Sequence, residues 1–167
     1  MTGQRVRDVV RRLAVEEFGA QLIVEPIPSY QVLTRSRLDD PLAGIRSARE
    51  VQAVARRELL DFVNEARAAG RSWDEVGAAL DLPDGPDDEP RGEAAFVQVI
   101  ERREAMPSQD FFRVPATSWR CGSCASVVQD RGPFESHPED NESGHASDCA
   151  RQQAAVQEWR ERTGWEE

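Results

Sequence analysis

The sequence contains no lysine: all 21 of its basic residues are arginine, set against 31 acids for a net charge of −10. Arginine usage this one-sided follows from the codon bias of a GC-rich genome and carries no inference about binding. The acidic excess does carry one, because nucleic acid is bound chiefly through counterion release at clustered positive charge, and this chain exerts no long-range attraction of that kind. Long apolar runs are missing too. No stretch approaches the ~18–20 apolar residues of a membrane span, and MTGQRVRDVVRRLAVEEFGA at the N-terminus lacks the apolar segment of a secretory signal. The expectation is a cytoplasmic protein with no membrane partner. No Ser-His-Asp set, phosphate-binding glycine loop or dinucleotide fingerprint occurs, so no small-molecule substrate is evident and a non-enzymatic role is expected. Cysteine and histidine are scarce, three and two in 167 residues. In a reducing compartment three cysteines fit metal thiolates better than a disulfide with a spare thiol.

The scarce residues are clustered. Every cysteine and both histidines fall between Trp119 and Arg151. Cys121 and Cys124 form a C-x2-C pair, the shortest loop that aims two thiolates at one ion, and His145 and Cys149 form an H-x3-C pair whose i,i+4 spacing suits one face of a helix. Together they make a Cys3His set, which predicts a closed tetrahedral site for one structural zinc ion. A redox C-x2-C is the alternative, but no βαβ pattern surrounds it. A second competitor is His137-Pro138-Glu139, which resembles the H-x-E element of zinc deaminases, where the glutamate shuttles protons at a zinc-bound water. In those enzymes C-x2-C follows H-x-E, whereas here it precedes it, and four ligands are complete without His137.

Charge is unevenly distributed along the chain. Residues 1–60 hold ten arginines and eight acids, residues 61–110 five and thirteen, and residues 111–167 six and ten. Val6, Val9, Val10, Leu13 and Phe18 recur at helical spacing over residues 4–18, among Arg5, Arg7, Arg11 and Arg12, and predict an amphipathic helix ending near Gly19. Leu22–Val24 and Tyr30–Thr34 favour β structure around Pro26 and Pro28, as a hairpin or an extended arm. Asp39-Asp40-Pro41 reads as a helix start. Leu42 to Ala69 is expected to be mostly helical, with a break possible near Gly44, and Gly70 ends it. Its apolar stripe is Val51, Val54, Ala55, Leu59, Phe62, Val63 and Ala66. Its polar side carries Arg46, Arg49, Arg56 and Arg57, the basic concentration available for nucleic-acid or partner contact.

Ser72 and Glu75 then form a capping box ahead of Trp73, Val76 and Leu80. The segment ELLDFVNEARAAG–RSWDEVGAALDLP resembles the first half of a helix-turn-helix DNA-binding domain over about 25 residues. Gly77 stands where that family places a small residue at the close helix contact, with Val76 and Leu80 as the flanking hydrophobes. The sequence departs from the family where Asp81 replaces the turn glycine and LPDGPDDEPRGE interrupts the helix that should follow. Pro83, Pro86 and Pro90 preclude a continuous helix there, and Asp84, Asp87, Asp88 and Glu89 would repel phosphate while offering a docking loop for a basic partner. Helix resumes near Gly92 with Ala94, Ala95, Phe96, Val99 and Ile100 as its apolar face.

A W-x-E-[IV]-G-x-A-L helix, an EAAF helix and a Cys-rich C-terminal segment together resemble small proteins of GC-rich Gram-positive bacteria that have no assigned activity. The resemblance spans roughly residues 45–160 and implies that the helical and zinc parts form one unit. Residues 106–118 read as a linker or a short strand in which Phe111 and Phe112 seal the helical core against the metal module. Cys121–Val128 reads as a knuckle and hairpin, and helix is expected from His145 to Arg160 with His145, Cys149, Gln152, Val156 and Trp159 on one face. The expected fold is mainly α, with a helical domain at 1–106 holding the helix-turn-helix-like segment at about 51–100. A small α+β zinc module at 107–167, a knuckle and hairpin plus helix, is treble-clef-like. The expected function is a zinc-stabilised regulatory protein acting on DNA or the transcription machinery. The alternative is a protein–protein adaptor using the acidic loop and zinc module. A zinc-dependent hydrolase or deaminase ranks third.

Overall fold

A computed structural model describes residues 2–27, 32–84, 90–101 and 115–165. Within them the chain is mainly α with a small β part. It divides into two compact units, Met1–Glu58 and Leu59–Glu167. The 106/107 boundary expected from the sequence lies outside the described residues, as do Phe111, Phe112, Asp87, Asp88 and Glu89.

In the first unit, helix α1 (Thr2–Glu16) is followed by strands β1 (Leu22–Pro26) and β2 (Thr34–Leu38) and by the start of helix α2 (Pro41–Ala68). The arm-or-hairpin alternative resolves as an antiparallel hairpin pairing Leu22 with Leu38 and Pro26 with Thr34. Its second strand overlaps the predicted Tyr30–Thr34 segment only at Thr34, and Tyr30 and Gln31 lie outside the described residues. Asp39 closes the pair, its backbone N–H donating to the Gln21 carbonyl while its carboxylate accepts from Gln21 N. Glu25 reaches across to Arg35 and Arg37, and Arg11 of α1 donates to the Ser36 hydroxyl. The core is built from small side chains, Ala14, Ala20 and Ala43, with Phe18 and Leu38 against them.

Helix α2 starts as expected, Asp40 accepting from Leu42 N at 2.8 Å with Pro41 at the first helical position, where a missing N–H costs nothing. It runs unbroken through Gly44. The expected apolar stripe is only partly buried. Val63 is 5% exposed, but Val54 and Phe62 are 49% and 63% exposed, and every residue from 52 to 58 faces solvent. Each unit buries a different end of the helix, so its middle turns need no apolar face.

In the second unit, α3 (Trp73–Ala79) starts at the predicted capping box, with Ser72 and Glu75 each capping the other's backbone N–H. Trp73, Val76, Val63, Ala95, Phe96, Val99 and Ile100 form the buried cluster. Helix α4 (Arg91–Phe96) continues into one π-helical turn, Val97–Glu101. Gly77 sits where α3 meets α4 so closely that a Cβ there would lie 2.5 Å from Arg91 Cγ and 3.0 Å from the Arg91 carbonyl oxygen. Asp74 accepts from Gly92 N at 2.8 Å, a second tie between the two helices. Asp81 adopts the left-handed conformation, φ 55°, that a turn glycine would otherwise supply. Strands β3 (Thr117–Arg120), β4 (Val127–Asp130) and β5 (Glu142–Ser143) then form an antiparallel sheet in that order, with the short helix α5 (Pro138–Asn141) before β5 and α6 (Ala150–Thr163) closing the unit.

Candidate metal centre

The β3–β4 hairpin turns through a knuckle held by its own backbone. Cys121 N donates to the Ser126 carbonyl and Ala125 N to the Cys121 carbonyl, with Ala125 at φ 58°. Both Cys121 and Cys124 are thereby aimed to the same side. Gly122 approaches the end of α2, its N–H donating to the Ala68 carbonyl at 3.2 Å; a Cβ would stand 2.9 Å from that oxygen. The remaining pair departs from expectation. Helix α6 begins at Ala150 with Cys149 as its N-cap residue, so His145 lies in the open chain before it and not one turn back on a helix. The H-x3-C spacing is met by a turn in which Cys149 N donates to the Ala146 carbonyl. Gly144, at φ +97° and packed against the Val127 carbonyl, turns the chain into it. The packing stripe expected on α6 is correspondingly weak: Val156 and Trp159 are half-buried and no residue of the helix is buried.

These four residues form a group that could hold a metal ion, their ligand atoms all within 4.8 Å of one another. Cys121 Sγ is 3.9 Å from Cys149 Sγ, and His145 Nδ1 is 3.4 Å from Cys149 Sγ and 3.9 Å from Cys124 Sγ. Bond lengths of about 2.3 Å to sulfur and 2.0 Å to nitrogen give tetrahedral edges of about 3.5–3.8 Å, close to these three spacings, within a group whose ligand atoms could hold a metal ion. Electrostatics favour the ligating form at Cys124. Backbone N–H donors, Ala146 first, together with His145 lower its thiol to about 5. At Cys149 burial raises the thiol but is outweighed by the Gln152 N–H and His145. Burial dominates at Cys121 and raises it.

Around the ligands lies a polar network that the sequence did not disclose. Glu142 Oε2 is 3.1 Å from His145 Nε2. The same carboxylate pairs with Arg67 and with Arg151. Opposite Glu142 in the β4–β5 register stands Asp130, fully buried. It accepts from Arg67 Nε at 2.9 Å, from the indole N–H of Trp73 and of Trp119 at 3.2 Å each, and from Gly132 N at 2.9 Å. The Arg67 guanidinium lies 5.4 Å and 5.9 Å from the Trp73 and Trp119 ring centres, and Arg151 stacks over Trp119 at 4.5 Å. A buried ion pair is tolerable only when its remaining donors and acceptors are filled, and here they are. The one available signal was indirect: buried tryptophans need an acceptor for their N–H.

The other candidates fall elsewhere. His137 caps α5, accepting from Glu139 N, and its ring meets Trp159 at 4.5 Å between centres; it is not among the four clustered ligands. Glu139 lines a cleft of about 530 Å³ together with Glu142 and His145. Arg46, Arg49, Arg56 and Arg57 are exposed on α2. Asp84 is exposed and paired with Arg91. Among the described residues no helix is long and apolar enough to cross a membrane. No protein-family model, curated protein or solved structure matches the chain.

Proposed function

We propose that the chain is a non-catalytic, cytoplasmic regulatory protein on a helix-turn-helix-derived scaffold, stabilised by one structural zinc ion and acting on DNA or the transcription machinery. The zinc module is read as treble-clef-like: a knuckle on a β-hairpin supplies two thiolates, and the segment leading into a helix N-terminus supplies the other two ligands. Glu142 on the free nitrogen of His145 is the partner expected for a ligating imidazole. The residues supply four donors, which leaves no coordination position for a substrate.

The helix-turn-helix reading is carried by the α3–α4 contact, where Gly77 lies against Arg91 and Asp81 makes the left-handed turn. It agrees with the resemblance to small proteins of GC-rich Gram-positive bacteria. Nucleic-acid contact belongs to Arg46, Arg49, Arg56 and Arg57, because the first 58 residues hold ten arginines against eight acids and the rest eleven against twenty-three. Titration of labelled duplex across salt concentrations tests it. Binding with a negative log–log salt slope is expected, reduced when Arg46, Arg49 and Arg57 become glutamine; no binding near ~20 mM salt removes DNA as the target.

A second reading, a protein adaptor, is favoured by the character of α4. Its first turn carries Glu93, Arg91 is engaged by Asp84, its exposed position is Ala94, and Gln98 is exposed on the π-helical turn that follows. Such a surface suits a protein better than phosphate. Neutralising Asp84, Asp87, Asp88 and Glu89 should then weaken binding to a cross-linked partner without unfolding the chain, and undiminished binding removes this reading.

A further inference from the structure

We propose that Glu142 is a positioning residue that couples metal occupancy at His145 to the packing of α3, through Arg67 and Asp130. The inference rests on reading the Cys3His group as a zinc centre and adds to it a regulatory link with the helix pair.

Each link is a hydrogen bond or ion pair within the second unit. His145 turns Nδ1 toward the sulfurs of Cys124 and Cys149 and Nε2 toward Glu142. A carboxylate can only accept, so the Glu142 contact places the ring proton on Nε2 and leaves the Nδ1 lone pair for the ion. Glu142 in turn is held by Arg67 and Arg151, with Arg151 Nη2 3.2 Å and 3.4 Å from its two oxygens. Because Asp130 and Glu142 are paired across β4 and β5, the single guanidinium of Arg67 bridges both carboxylates. Asp130 finally holds the indole N–H of Trp73, the first residue of α3. The Arg67 side chain is 7% exposed, Asp130 1%, Glu142 13% and His145 4%, so water has little access with which to replace a lost partner. A change in the orientation or donor strength of the imidazole is therefore passed to Arg67 and on to the indole.

The test uses the full chain in three forms: wild type, Glu142→Gln and His145→Cys, which keeps four ligands but removes the imidazole. Competition with a chromophoric chelator reads zinc affinity, and NMR reads hydrogen exchange at the assigned Trp73 indole N–H with and without zinc. Glu142→Gln is expected to weaken zinc about 10–100-fold. Exchange at Trp73, slowed by zinc in the wild type, should lose most of that dependence in both variants. Unchanged zinc affinity in Glu142→Gln overturns the proposal, as does wild-type zinc dependence of Trp73 exchange in His145→Cys. If Glu142→Gln fails to fold, His145→Cys decides alone. A wild-type chain that takes up no zinc is a different failure, removing the zinc reading and this link with it.

Discussion

Asp130 accepts from two indoles, a guanidinium and a backbone N–H, and alanine in its place would leave all four donors buried without an acceptor. Breaking one side of a buried pair costs about 3–5 kcal/mol, more than exposed ion pairs in general contribute, ~0.2–1 kcal/mol. Asp130→Ala is therefore expected to lower unfolding stability by that larger amount in a denaturant titration, and a loss below ~1 kcal/mol would show that the hub is not needed. Cys124 gives a second prediction at this scale. Its thiol is lowered to about 5 and it is half-buried, whereas Cys121 is raised and buried. A depressed value means the thiolate is present at neutral pH and is lost only as pH falls through about 5. In metal-free protein, alkylation followed by peptide mass spectrometry should modify Cys124 first at pH 7, with a rate that drops near pH 5 and not near the ordinary ~8.5. Equal labelling of Cys121 and Cys124 contradicts it.

At the scale of elements, Gly77 separates two opposing effects. In an exposed helix, alanine would be better than glycine by ~1 kcal/mol. Here its Cβ would meet Arg91 Cγ at 2.5 Å and the Arg91 carbonyl at 3.0 Å; the side chain can yield but the backbone cannot. Overpacking of this kind costs about 1–3 kcal/mol, so Gly77→Ala should destabilise on balance, and a raised melting temperature would mean that α3 and α4 are not so close. The sequence revealed what is local in origin. The Ser72–Glu75 box, the stop at Gly70, Trp73 and Val76 as core and the knuckle at Cys121–Cys124 all follow from neighbouring residues. It misled where one spacing admits two geometries: H-x3-C suits a helix turn and also a loop entering an N-cap, and only packing against Val127 at Gly144 decides. It was silent on Arg67, Asp130, Glu142 and Arg151. Arg67 lies 63 and 75 positions from its two carboxylates, and nothing in the sequence distinguishes it from the other arginines.

At the scale of the molecule, the metal group closes the second unit. Cys121 and Cys124 come from the hairpin and Cys149 from the start of α6, so the ion would cross-link segments that otherwise share few buried contacts, α6 having no buried residue. Metal affinity is then folding stability for that part. Cys149→Ser is expected to lower zinc affinity and to melt the hairpin and α6 at a lower temperature than wild type; a native melting curve with full metal content contradicts the anchoring role. The most direct measurement is metal content together with X-ray absorption at the zinc edge on the purified full chain. One zinc per chain is expected, bound by three sulfurs at about 2.3 Å and one nitrogen at about 2.0 Å with no further light ligand. A chain that binds no zinc, or one whose ion keeps a water in place of a protein ligand, would contradict a closed structural centre.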